Sequence, residues 1–126
     1  MLEQTTVLSR LHGRQLSAVV FVQDYMQFQF DGPVLTTYLC PLLILKDGVL
    51  TYDDTGYKDS ICDCIGSIVV DTFDEPDHRI GVVFENGAAL QISLQAEDQI
   101  GPEAATFDDS SSNDFMVWRT GDQAEA

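Results

Sequence analysis

Cys62-Asp63-Cys64 is the densest group of metal-seeking side chains in the chain, and paired thiolates are what zinc and redox sites use. The spacing argues against both. The surrounding apolar period places the three residues on a short helix, where positions two apart point about 200° around the axis from each other and cannot easily share an ion. Cys40 is the one other cysteine, and no second pair at zinc-ligand spacing accompanies it. Free structural thiols in a reducing compartment are the expectation. Asp108, Ser110, Ser112 and Asp114 offer oxygens at alternate positions, as a calcium loop does. Asn113 stands where the turn glycine belongs, however, and Arg119 where the bidentate glutamate belongs.

The two histidines lack a catalytic frame. His12 falls at the end of a predicted helix and His78 in the turn Asp74-Glu75-Pro76-Asp77-His78-Arg79, with no nucleophile elbow, phosphate-binding glycine loop or helical histidine pair in the sequence. Glu97, Asp98 and Glu103 are close in sequence, but their company is polar and reads as loop, so ordinary surface carboxylates are expected; Glu103 reads as a helix or turn start. No catalytic residue, no metal ligand and no cofactor is assigned.

Charge is more informative than any motif. The 126 residues carry 21 acids against 6 Lys and Arg, a formal net charge of −15. Residues 1 to 46 hold three of each sign, so the excess lies beyond Lys46. Such a field repels nucleic-acid phosphates and anionic lipid head groups, which excludes both as direct partners. No apolar stretch, Leu42 to Leu45 included, approaches the roughly 20 residues of a membrane-spanning helix. The first residues have neither a basic start nor a long apolar run, so a cytoplasmic protein is the expectation.

The elements that position these residues follow from periodicity. Residues 3 to 12 put Val7, Leu8 and Leu11 on one side and end at Gly13, which reads as a short amphipathic helix. Leu16 to Val22 and the alternating Tyr25 to Phe30 read as strands, with a turn at Asp31-Gly32-Pro33 and a third strand at Val34 to Leu39. Leu42 to Tyr52 reads as a short hairpin turning at Asp47-Gly48. A second helix is capped by Thr55, carries Tyr57, Ile61 and Ile65 every four positions, and stops at Gly66. Ile68 to Phe73, Arg79 to Phe84 and Ala88 to Leu94 then make a second meander, with Glu85-Asn86-Gly87 as its turn.

The order helix, glycine, strand, strand, turn, strand thus occurs twice. Phe28-x-Phe30-Asp31-Gly32 corresponds to Val82-x-Phe84-Glu85-Asn86-Gly87. The expected fold is therefore α+β: two short helices, two antiparallel three-stranded meanders and a C-terminal strand. Its single domain, 1–126, would hold pseudo-repeat halves at about 1–52 and 53–94, an extension at 95–118 and a disordered tail at 119–126. The predicted core is Leu8, Leu11, Val20, Phe28, Phe30, Ile61, Ile65, Val70, Val82, Phe84, Leu90 and Ile92.

The landmarks Phe30-Asp31-Gly32, Tyr57 to Gly66, Phe84 to Leu94, Gly101-Pro102-Glu103-Ala104 and Val117-Trp118 resemble those of small uncharacterised bacterial proteins. Some similar families are suspected immunity proteins that neutralise toxins. The resemblance implies an inhibitor and brings no catalytic residue. From the residues themselves, a non-enzymatic interaction protein is expected, with Asp71, Asp74, Glu75 and Asp77 as an acidic surface for a basic protein, or an exposed strand edge forming a homo-oligomer. The alternative is a small-ligand module with Tyr25, Tyr57 and Trp118 lining a cleft between the halves.

Overall fold

The computed structural model describes residues 7–95, 103–109 and 114–119. It is mostly β. Among the described residues there are ten strands: β1 (Ala18–Val22), β2 (Tyr25–Gln29), β3 (Val34–Thr37), β4 (Leu42–Leu45), β5 (Gly48–Leu50), β6 (Val69–Glu75), β7 (Arg79–Phe84), β8 (Ala89–Ser93), β9 (Glu103–Asp109) and β10 (Asp114–Arg119). A 3-10 turn, Val7–Leu11, precedes β1, and the one α-helix among the described residues, α1 (Tyr57–Cys62), precedes β6. The strands form two antiparallel five-stranded sheets, ordered β1-β2-β3-β9-β10 and β5-β4-β8-β7-β6.

This corrects the α+β expectation. Of the two predicted helices, the first is one 3-10 turn among the described residues, and the second has six residues. Isolated helices below about 12–15 residues are marginal, so these short segments exist through packing alone. One turn suffices to bury Leu8 and Leu11, and Gly13, at φ 82°, then redirects the chain. Gly56 rather than Thr55 occupies the N-cap of α1, with no side-chain hydrogen bond. The helix ends at Cys62, and Cys64 takes the core place beside Ile61 that the four-residue period gave to Ile65, which is exposed.

The meanders β1-β2-β3 and β6-β7-β8 are present, but each is extended by the hairpin that follows the other. β9 and β10 join β3 in the first sheet, and β4 and β5 join β8 in the second. The halves thus exchange hairpins. Glu103, read as a helix or turn start, instead begins β9. The predicted acidic loop at 108–114 is shorter, because Asp108 lies in β9 and Asp114 in β10; residues 110–113, Glu97 and Asp98 lie outside the described residues.

The halves are related by a pseudo-two-fold visible in their hydrogen bonds. Gly13 N–H donates to Val69 O and Gly66 N–H to Leu16 O, both at 2.8 Å. Val69 N–H donates to Arg14 O and Leu16 N–H to Ser67 O. These bonds exchange under a shift of 53 positions (13 and 66, 16 and 69), with the isolated bridge Gln15–Ile68 on the axis. The inner faces match as well. The row Val19, Phe28, Leu35, Phe107 and Met116 crosses the first sheet. Its counterpart Thr72, Val82, Leu90, Leu43 and Leu50 crosses the second. Both sheets bury these faces in one core, in which Phe30 and Phe84, equivalent residues, stack at 6.5 Å. Of the predicted core, Val20 is half-buried and Ile65 and Val70 are exposed; the other nine are buried.

Candidate interaction surface

Four predicted acidic residues lie on or at the turn of the β6–β7 hairpin, and the register divides them between its two faces. Cross-strand partners share a face. Asp71 pairs with Val83, Phe73 with Gly81 and Glu75 with Arg79, while Thr72 pairs with Val82 and Asp74 with Ile80. Val82 and Ile80 are core residues, so Thr72 and Asp74 point inward and Asp71, Phe73 and Glu75 outward. The cause is a bulge between Val69 and Asp71, which reverses the alternation begun by the buried Val69.

Asp74 is therefore a structural residue. Its Oδ2 accepts a hydrogen bond of 3.1 Å from the indole Nε1 of Trp118, a buried residue of β10, so the bond ties the edge of one sheet to the edge of the other. Burial pushes the Asp74 carboxyl above its usual range and the indole N–H partly offsets this. Thr72, also inward, has its hydroxyl 3.1 Å from His12 Nε2, and the same ring nitrogen lies 3.8 Å from Asp71 Oδ1. His12 thus joins the 3-10 turn to β6.

The outward groups form a connected patch. Glu75 accepts two hydrogen bonds from Arg79, at 2.9 and 3.2 Å, which hold its carboxyl below the usual range. Arg79 also donates to Gln91 Oε1 at 2.7 Å and lies over the Phe73 ring at 4.7 Å. The ring covers Gly81, where an added Cβ would collide with Phe73 Cζ and stand 2.5 Å from Leu90 O. Gly81 is thus required by close approach, and sequence reading missed this cluster because the glycine, the ring and the arginine are neighbours only across strands. Asp71 has a side-chain exposure of 71%, and Asp77 sits in the hairpin turn at φ 67°. Asp71, Glu75 and Asp77 are solvent-exposed; Asp74 is not part of the same face.

No family model, curated protein or solved structure matches the chain.

The three proposed cleft aromatics are not brought together. Tyr25 packs against Tyr38 at 6.1 Å on the outer face of the first sheet. Tyr57 is buried at the start of α1 and donates to Pro41 O at 2.5 Å. Trp118 belongs to the β6–β10 contact. Cys62 and Cys64 also diverge, the first exposed and the second buried, with Cys64 Sγ 3.8 Å from Asn86 Nδ2. Burial raises the pKa of Cys64 and Cys40. Among the described residues no group of three His, Cys, Asp or Glu is placed to hold a metal, and no helix is long and apolar enough to cross a membrane.

Proposed function

We propose that this chain is a non-enzymatic interaction protein that meets a basic partner protein through the exposed carboxylates of the β6–β7 hairpin. The observation that carries the reading is the outward placement of Asp71, Glu75 and Asp77 at one sheet edge and its turn, in a chain of net charge −15. Glu75 is already paired with Arg79 and Asp71 has His12 at 3.8 Å, so the attraction comes from Asp77 and from the exposed carboxylate of Asp71. An inhibitor that neutralises a basic protein, in the manner of an immunity protein, is the sharpest form of this function. Rim charges of this kind act on encounter rate and on salt dependence, since exposed pairs are screened over about 8 Å at physiological ionic strength.

The test is capture of partners from host-cell lysate by the tagged chain and by an Asp71→Asn/Asp77→Asn variant, washed at low and moderate salt. Asparagine tolerates the left-handed backbone at position 77, so the variant keeps its turn. A basic protein retained by the parent at low salt, released by salt and lost by the variant supports the reading. Retention unchanged in the variant refutes this surface.

A further inference from the structure

The pseudo-two-fold exposes a contrast between its two equivalent edge strands. At matched positions, Ala18, Phe21 and Val22 of β1 stand where β6 has Asp71, Asp74 and Glu75. β6 is guarded as sheet edges usually are, by carboxylates on both faces and by a bulge. β1 has no charge and no proline, and it pairs with β2 in unbroken register over all five residues. Among the described residues no strand lies on its other side. Phe21 and Val22 are 38% and 39% exposed. A flat apolar edge presents unpaired backbone N–H and C=O groups to any strand that can lie beside it.

The geometry points to a second copy of this chain as the partner of β1, its own β1 running antiparallel about a two-fold axis through Val20. The sequence of β1 is self-complementary in that register. Val20 meets its own copy, Ala18 meets Val22, and Val19 meets Phe21, so that small side chains lie beside large ones on each face. Charge selects the occupant. Two molecules of net charge −15 repel one another, and β1 carries no carboxylate and lies in the first third of the chain, where acids and bases balance, with the uncharged Tyr25 and Gln27 beside it on β2; over these five residues two copies meet without opposing carboxylates. A basic partner finds no carboxylate on this strand, so the dimer stands independently of the docking function.

Sedimentation velocity on the full chain from about 1 to about 200 µM, with hydrogen exchange read at both ends of that range, tests the inference. A monomer–dimer equilibrium is expected, with concentration-dependent protection confined to residues 18–22 and their neighbours on β2. Val20→Lys places two like charges face to face on the axis and is expected to raise the dissociation constant about tenfold or more. Val22→Glu, at an exposed position of the same face, gives the same result if Val20→Lys lowers the melting temperature. Three results overturn the inference: a monomer at every concentration, a dimer with unchanged affinity in both variants, or protection that maps to another edge. Protection, in the monomer itself, of those amides of 18–22 that do not bond to β2 would show that the chain covers its own edge, and equally overturns it.

Discussion

Replacing Trp118 by Phe tests whether Asp74 is structural, and its size follows from the contact. The substitution keeps most of the buried ring and deletes the N–H that Asp74 Oδ2 accepts at 3.1 Å. Hydrogen bonds to charged groups contribute about 1.5–3 kcal/mol, and Asp74 is half-buried, so water recovers part of the loss; about 1–1.5 kcal/mol remains. For a domain of this size that is a fall of roughly 4 °C in Tm. Because Trp118 is the sole tryptophan, unfolding is followed by circular dichroism rather than by fluorescence. A double-mutant cycle with Asp74→Ala separates the bond from the smaller ring, and a coupling of about 1 kcal/mol is expected. The pH dependence has a definite sign. A carboxyl raised by burial in the folded state favours folding most below its unfolded value of 3.8, and this contribution is lost as pH rises through the folded pKa. Trp118→Phe removes the group that holds that pKa down, so its cost is greatest near neutral pH and shrinks as Asp74 takes up a proton. A coupling near zero, or a cost that grows on acidification, would refute the assignment.

Two further substitutions probe the packing. Gly81→Ala drives a Cβ against both the Phe73 ring and the Leu90 carbonyl, and denaturant unfolding is expected to show a loss of about 1–3 kcal/mol; Phe73→Ala relieves only the ring contact and rescues it in part. Tyr57→Phe leaves the Pro41 carbonyl without its donor in the interior and is expected to cost about 1–2 kcal/mol in the same assay, with little change in the circular dichroism of the folded protein.

The strands were legible in the sequence wherever one face is buried. Met26, Phe28 and Phe30 alternate with exposed or half-exposed neighbours, and Leu90, Ile92 and Leu94 do the same, so period two found β2 and β8. The duplication was legible because Gly13 and Gly66 both take left-handed conformations at the same point in each half. The helices were overread, since a period of four over eight residues is equally the mark of one tight turn feeding a strand. The acidic site was half legible. Residue types announced the charge, but the bulge after Val69 decided which carboxylates face water, and a bulge leaves no mark in the local pattern. The exchange of hairpins was beyond reach, because the pairing of β3 with β9 depends on the second half being present and not on any feature of β3.

That exchange also governs how the protein comes into being. Val34 pairs with Asp108, 74 positions away, so the sheet begun by the first half gains its fourth strand only after most of the chain exists. Loop closure over such a span has to precede the contacts that reward it, which slows folding and makes it cooperative. During synthesis the first half leaves the ribosome as a meander with an unfilled seam beside β3. Its own hairpin, β4–β5, has to wait for β8 before it has anything to pair with. Each half completes the other's sheet, and the two sheets close as a clasp whose arms engage together.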